Sequence, residues 1–85
     1  MLNSVILTVK VEGEEVTYDM EFPANVPAGD LCDRLLVVFK SIDAEAFRDV
    51  ERITLRMKRS GKLIGDEETL ESAEVWDGSI VTVIK

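Results

Sequence analysis

The sequence predicts an α+β fold in which one main helix packs across one face of a mixed sheet of four to five strands. Two stretches of alternating apolar and polar residues occupy positions 5–22, with a glycine-containing turn between them. One helical apolar repeat follows at 30–40, and shorter alternating stretches fill 52–84. Because a helix between a hairpin and further strands covers one face of a sheet, we expect the first and last strands to run parallel in its middle.

The first two strands are predicted to form a hairpin. Apolar residues alternate with other residues along both stretches, which is the period of a strand with one buried face. The opposite face of the second strand is acidic. Gly13, between the two stretches, supplies the backbone freedom that a tight turn needs. The alternating apolar residues are Val5, Leu7, Val9 and Val11, then Val16, Tyr18, Met20 and Phe22.

A helix is predicted from Asp30 to Lys40. Pro27 has the fixed φ suited to a first helical turn, and Asp30 lies close to the positive end of the helix dipole. Four apolar residues from position 31 onward have the spacing of one helical face, and two more widen it, so we expect tight packing. The four are Leu31, Leu35, Val38 and Phe39, and the two that widen the face are Leu36 and Val37.

The stretch 41–51 has the least regular pattern. Asp43 could cap a short helix here, in which Phe47 and Val50 would point inward. A third strand follows, because apolar residues again alternate with polar ones. Its inward residues are Ile53, Leu55 and Met57, and its outward residues are Arg52, Thr54, Arg56 and Lys58.

Three further elements are predicted towards the C-terminus. After a turn at 59–62, Leu63-Ile64 forms a short fourth strand. The stretch 69–75 has room for one helical turn, which Leu70 and Val75 would anchor. Asp77-Gly78 is a strong turn signal, so the last strand is predicted over 79–84. The complete order is therefore β-β-α-β-β-turn-β.

Length and charge exclude several classes of function. The 85 residues suffice for a single domain, 1–85, and leave little material for a closed catalytic pocket. The net charge of −7 argues against nucleic acid, whose phosphate backbone requires a cationic surface, and against anionic membranes. No apolar run approaches the roughly 20 residues that span a bilayer, so we expect no membrane insertion.

The sequence predicts no catalytic centre. It contains no histidine, which is the commonest general base and metal ligand. Cys32, the sole cysteine, is expected to be a small packing residue, since no histidine is present to activate it. The acids at 12–15 and 66–68 are expected in solvated turns, because the spacing of a calcium loop is absent. We therefore predict no enzyme activity, no cofactor and no metal.

The same features indicate a cytoplasmic protein. A single cysteine excludes an intrachain disulfide, which fits a reducing compartment. Residues 1–10 lack the basic start and apolar run of a signal peptide.

A basic cluster suggests a protein-binding surface. Five cations fall within residues 52–62, which contain no acid, although residues 1–51 have 4 basic and 11 acidic side chains. The outward residues of the third strand should lie on the sheet face away from the helix, next to isoleucines of the first and last strands. An alternative is a solvated face that only balances the acids elsewhere. The residues assigned to the surface are Ile6, Thr8, Lys10, Arg52, Arg56, Lys58, Arg59, Lys62 and Ile84.

Trp76 is the second candidate for a binding residue. It lies in the turn before Asp77-Gly78. An exposed tryptophan often marks an interface, but one that folds back onto the domain edge is an equal alternative.

Three segments carry a resemblance to known families. Residues 61–70, Gly-Lys-Leu-Ile-Gly-Asp-Glu-Glu-Thr-Leu, are similar to the Gly-Lys-x-Leu…Thr-Leu run of ubiquitin-like proteins, which have the β-grasp fold. The helix entry 25–31, Asn-Val-Pro-Ala-Gly-Asp-Leu, and the segment 76–80, Trp-Asp-Gly-Ser-Ile, resemble a narrower group. That group comprises the YukD/EsaB-like small ubiquitin-like proteins of bacterial type VII (ESX) secretion and the ubiquitin-like domain of that system's membrane channel component.

The resemblance implies a non-catalytic accessory or regulatory protein that docks on a component of the secretion machinery. In ubiquitin, the corresponding open face of the sheet has the apolar surface that most partners contact. The central third-strand position of that surface corresponds here to Lys58. The resemblance therefore implies a partner with an acidic or mixed surface.

Two other functions stay open at this stage. Conjugated ubiquitin-like proteins end in Gly-Gly, whereas this sequence ends in Ile84-Lys85, so we expect no conjugation. A sulfur carrier or protein modifier with a truncated tail is the first alternative. The second is a self-associating domain, for example a homodimer through the isoleucine face or the Leu63-Ile64 edge.

Overall fold

The elements follow one another in the predicted order. The computed structural model describes residues 3–85. Within that range, one helix lies between an N-terminal hairpin and three shorter strands. The elements are β1 (Ser4–Val11), β2 (Thr17–Pro23), α1 (Ala28–Ile42), β3 (Thr54–Met57), β4 (Leu63–Ile64) and β5 (Ile80–Ile84).

The strands form one mixed sheet in the order β2-β1-β5-β3-β4. β1 and β5 are parallel and central, as predicted, and the other pairs are antiparallel. Lys10 of β1 lies opposite Thr82 of β5, which lies opposite Arg56 of β3. This register sets the composition of both faces of the sheet, because side chains alternate between the faces along each strand.

The core lies between the sheet and α1. Every second residue of β1 is buried, together with alternate residues of β3 and β5. Pro27 directly precedes the helix, and the Asp43 backbone N–H closes it by donating to the carbonyl of Phe39. No helix in residues 3–85 is long and apolar enough to cross a bilayer. The helical residues of the core are Ala28, Leu31, Cys32, Leu35 and Phe39.

The predicted buried face of the helix is too wide. Leu31, Leu35 and Phe39 are buried as predicted, but Val38 is 42% exposed and Val37 is 69% exposed. Successive helical residues are rotated by about 100°, so one sheet covers only a limited stripe of the helix. Val38 falls beside that stripe, at the groove between α1 and β2, and Val37 points to solvent.

The short helix predicted after Asp43 is wrong. The stretch 44–49 forms hydrogen-bonded turns. The Asp43 carboxylate accepts the Ala46 N–H at 3.4 Å, which is the role predicted for it at a cap. Phe47 is nevertheless fully buried and stacks on Phe39 with 5.0 Å between ring centroids, while Val50 is half-buried. Burial of the Phe47 ring therefore attaches this segment to the core, although the segment forms no regular helix or strand.

The C-terminal third matches the prediction closely. Leu70 and Val75 are fully buried anchors, and the Ala73 N–H donates to the carbonyl of Thr69 at 2.9 Å in a single helical turn. Gly78 has a φ of 85°, the left-handed conformation that a glycine adopts without strain. β5 begins at Ile80, one residue later than predicted.

Candidate protein-binding surface

The face of the sheet away from α1 is uncovered, and we call it the open sheet face. β1, β3 and β5 each contribute the alternate residues that do not enter the core. The open sheet face consists of Ile6, Thr8 and Lys10 from β1, Ile80, Thr82 and Ile84 from β5, and Thr54, Arg56 and Lys58 from β3 and the residue that follows it.

The centre of the open sheet face is a row of three residues across the strands. Lys10, Thr82 and Arg56 lie side by side in the register. Thr82 is only 8% exposed, because long side chains flank it on both sides. Lys10, Arg56 and Lys58 line a shallow cavity of about 220 Å³ above it. The structure thus brings these three predicted cations together.

Ile80 and Ile84 border this row on β5, and Ile6 lies beyond Thr8 on β1. Ile6 is 54% exposed and Ile80 is 40% exposed, whereas Ile84 is half-buried. Thr8 lies opposite Ile80, whose carbonyl accepts the Lys58 N–H at 3.1 Å. Apolar Ile80 therefore lies between Thr8 and Lys58 on the open sheet face, one row from the cations Lys10 and Arg56.

Arg52 does not lie on the open sheet face, contrary to prediction. β3 begins at Thr54, whose partner Ile84 is the last residue of β5, so no strand within residues 3–85 pairs with the chain just before Thr54. The Arg52 guanidinium instead forms an ion pair with Asp66, at 2.8 Å between Nη2 and Oδ2. Arg52 and Asp66 line a cleft at the start of α1 with Gly29, on the helix side of the sheet.

Two further predicted cations have acidic partners. Arg56 Nη2 lies 3.4 Å from Glu12 Oε2, and Lys62 Nζ lies 3.7 Å from Glu68 Oε2 at the β4 edge. Lys58 and Arg59 form no ion pair with residues of the described range 3–85. The cations of the basic cluster that have no acidic partner in this range therefore lie in the turn over 58–62, called here the β3–β4 turn.

An acidic strip on β2 borders the open sheet face, and its residues are not among the predicted binding residues. Asp19 Oδ1 accepts a hydrogen bond from Thr8 Oγ1 at 2.9 Å, and Glu21 Oε2 accepts one from Ser4 Oγ at 2.6 Å. The acidic outward face of the second strand was the signal that could have found it. The surface thus has opposite charges along its β2 and β3 sides.

Trp76 is exposed, and its role as a binding residue stays a prediction. Its side chain is 60% exposed. Its backbone is fixed in a turn over 76–79, called here the Trp76 turn, since its N–H donates to Ser79 Oγ at 3.1 Å. Gly78 N–H donates to the carbonyl of Ile6 at 2.9 Å, and Asp77 Oδ1 accepts the Ile6 N–H at 2.8 Å. The indole therefore projects from a turn that is bonded to the sheet.

Cys32 is a packing residue, as predicted. It is buried, and its burial, with the nearby carboxylates of Asp66 and Asp33, raises the pKa of the thiol to about 11. The thiol is therefore protonated near neutral pH and is a poor nucleophile.

The family of the chain follows from its sequence. The family model described as "WXG100 protein secretion system (Wss), protein YukD" matches residues 6–83. The chain belongs to the YukD family. The match runs from β1 to β5 and so includes most of every strand and all of α1. No curated protein matches this YukD-family chain in sequence.

Solved structures share the β-grasp fold of this YukD-family chain. The ubiquitin-like domain of the Mycobacterium tuberculosis type VII secretion protein EccD1 has a TM-score of 0.76 at 18% identity, over 96% of this chain and 98% of that one. The EccD5 ubiquitin-like domain of Mycobacterium xenopi has a TM-score of 0.76 at 19% identity, over 94% and 91%. At these identities, the likeness shows the ubiquitin-like fold.

A third similar chain is much longer. It belongs to an ESX-5 inner membrane complex, with a TM-score of 0.74 at 24% identity. The alignment covers 95% of the YukD-family chain but only 20% of that chain.

Proposed function

We propose that this protein is a non-catalytic ubiquitin-like binding module, an accessory or regulatory component of a type VII secretion system. It docks through the open sheet face onto another component of the machinery. Its membership of the YukD family supports the pathway. The observation that supports docking is the uncovered face itself, where exposed Ile80 lies beside Lys58 and next to the row that contains Lys10 and Arg56. Exposed apolar groups next to ordered charge are typical of an interface.

The charges favour a partner with an acidic or mixed surface. The protein has a net charge of −7, so an acidic partner is repelled from most of its surface. The cations of the open sheet face are a local exception, and complementary charge would orient the partner towards it. The acidic strip on β2, with Asp19 and Glu21, would repel an acidic partner that bound over β2 instead of over β1, β5 and β3.

The chemistry of the side chains supports a role without catalysis. The sequence has no histidine, and the thiol of Cys32 is buried and protonated. Within residues 3–85, no group of three metal-ligating side chains lies close together. The protein would therefore act by contact alone.

We propose that the module works on the cytoplasmic side of the membrane, without inserting into it. The support is the likeness to one chain of an ESX-5 inner membrane complex, together with the single cysteine, which excludes an intrachain disulfide and fits a reducing compartment.

Co-purification from the bacterium that encodes the protein tests the proposal. We expect the tagged protein to recover components of the secretion machinery at low salt and to release them at high salt, since screening weakens contacts between exposed charges. Recovery of none of these components, with chemical cross-linking included, would contradict the function.

Charge reversal tests the surface. We expect Arg56→Glu combined with Lys58→Glu to abolish recovery of the partner. The free energy of unfolding should fall by about 1 kcal/mol, because Arg56→Glu replaces the exposed ion pair with Glu12 by a like-charge contact. The matched control, Arg34→Glu with Lys40→Glu on α1, makes the same change in net charge on the other side of the domain. Equal loss in both double variants would show that net charge, and not the open sheet face, determines binding.

A further inference from the structure

We propose that a cleft beside Trp76 binds an acidic peptide segment of the partner that inserts one bulky apolar side chain. The proposal rests on the proposed function, because it names the chemistry of the segment that this module recognises. The cleft has a volume of about 500 Å³ and lies at the end of the open sheet face, between the β3–β4 turn and the Trp76 turn. We call it the Trp76 cleft, and its lining includes Met57, Lys58, Arg59, Glu74, Trp76, Asp77 and Ile80.

The apolar lining of the Trp76 cleft argues for an inserted apolar side chain. Trp76 is 60% exposed, Ile80 is 40% exposed, and Met57 is half-buried between them and the core. Tryptophan in a pocket that loses its water on binding is the residue most often found to dominate binding energy. The volume of the cleft is within the range of pockets that bind small molecules, so it can hold one aromatic or branched aliphatic side chain.

The cations of the Trp76 cleft argue for acidic residues next to that side chain. Arg48, Arg52, Arg56 and Lys62 each have an acidic partner within residues 3–85. Lys58 and Arg59, on the β3–β4 turn, have none in the same range, so their charges remain available for a carboxylate of a partner.

The acids of the cleft lie on the other wall. Asp77 Oδ1 accepts the Ile6 N–H, whereas the Glu74 carboxylate accepts no hydrogen bond from residues 3–85. A bound segment would therefore direct its carboxylates towards Lys58 and Arg59 and away from Glu74. Because the cations and the acids lie on opposite walls, they fix the orientation of the bound segment. Neutralising Glu74 should therefore strengthen binding.

Both walls of the Trp76 cleft are fixed before a ligand arrives. The β3–β4 turn is closed by the Met57 N–H bond to the carbonyl of Lys62 and by the Gly61 N–H bond to the carbonyl of Met57, each 2.8 Å long. The walls are joined by the Lys58 N–H bond to Ile80 at 3.1 Å. Binding therefore orders little of the backbone, which lowers its entropic cost.

Selection from a displayed library of random short peptides tests the proposal on the whole protein. We expect the enriched peptides to combine acidic residues with one Trp, Phe, Leu or Ile. Because Trp76 is the only tryptophan, its fluorescence reports the site directly when the selected peptides themselves lack tryptophan. Peptide binding should shift the emission of Trp76 to shorter wavelengths and reduce the quenching of its fluorescence by acrylamide. Enrichment of neutral or basic peptides, or of none, overturns the proposal.

Calorimetry with one selected peptide then identifies the contacts. We expect Trp76→Ala to weaken binding by roughly thirtyfold, the size of a typical hot-spot loss. Lys58→Glu with Arg59→Glu should weaken it at least as much, while Glu74→Gln strengthens it. Arg34→Glu with Lys40→Glu is the matched charge control and should change the affinity by less than about twofold, since charges beyond a Debye length are screened.

The outcome is separable from that of the proposed function. If Trp76→Ala binds the selected peptide as tightly as the wild type, the Trp76 cleft is not the site, whether or not the secretion components co-purify. If the peptide behaves as expected but no secretion component is recovered, the cleft stands and the proposed function fails.

Discussion

The carboxylate of Asp77 accepts a hydrogen bond from the backbone N–H of Ile6, with 2.8 Å between Oδ1 and N, although the two residues are 71 positions apart in the chain. Gly78 N–H completes the connection by donating to the carbonyl of Ile6 at 2.9 Å. Together these bonds attach the Trp76 turn to the first strand of the sheet. The position of the exposed indole thus depends on a strand near the other end of the sequence.

Removing the Asp77 carboxylate should loosen this turn. We expect Asp77→Ala to lower the free energy of unfolding by about 1 kcal/mol, the typical net value of one hydrogen bond. Urea unfolding followed by circular dichroism measures it. Asp77→Asn keeps an acceptor oxygen and should lose less than Asp77→Ala. Equal losses in the two variants would show that the charge of Asp77, and not its acceptor geometry, stabilises the turn.

Phe47 should be a main determinant of stability in the irregular stretch after α1. It is fully buried, stacks on Phe39, and is covered by Lys85, whose Nζ lies 5.1 Å from the ring centroid. We expect Phe47→Ala to lower the free energy of unfolding by about 3–5 kcal/mol, as for other buried aromatics, in urea titrations.

Val37 provides the control for that prediction. It is 69% exposed on α1, so Val37→Ala should change the free energy of unfolding by about 0.5 kcal/mol or less. A loss at Phe47 as small as the loss at Val37 would mean that the stretch 44–49 contributes nothing to the core.

The thiol of Cys32 should react slowly in the folded protein. Burial raises its pKa from its ordinary value of 9.0 to about 11, so little thiolate is present at pH 8. We expect Ellman's reagent to modify Cys32 far more slowly in the native protein than in urea. Equal rates would show that the thiol is accessible.

The same shift makes stability depend on pH at high pH. The folded state keeps the thiol proton at pH values where the unfolded state has lost it. The stabilising contribution is therefore complete below about pH 9 and is lost as the pH rises through about 11. Cys32→Ala should remove this part of the pH dependence, which urea titrations at several alkaline pH values can measure.

Glu74 has a φ of 60°, in the left-handed region where a side chain is strained. We expect Glu74→Gly to raise the free energy of unfolding by about 0.5–1 kcal/mol, because glycine adopts this conformation without steric cost. Glu74→Ala is the comparison, since it removes the charge and keeps the strain. A gain in the alanine variant alone would attribute the effect to charge instead of backbone conformation.

The elements of the fold could be predicted because their signals are local. The alternation from Val5 to Val11 and the turn at Gly78 are properties of neighbouring residues. The helix was predicted correctly at its centre, but Val37 and Val38 were wrongly placed against the sheet. Their burial depends on how much of the helix the sheet covers, and the helical period of the sequence does not show how wide that contact is.

The candidate surface was harder to predict for the same reason. Arg52 continues the alternation of β3 in sequence, yet the sheet has no strand there for it to pair with, and it bonds to Asp66 instead. The ion pair between Arg56 and Glu12 joins residues 44 positions apart, so no local sequence pattern predicts it.

The sequence by itself determined the order of the strands and helix, the β-grasp resemblance and the absence of histidine, because these depend on residue types and short spacings. The tertiary structure alone decided that Trp76 is exposed on a fixed turn, and that Lys58 and Arg59 keep their charges unpaired within residues 3–85. Exposure and ion pairing are set by distances between side chains remote in the chain, and those distances exist only once the sheet has formed.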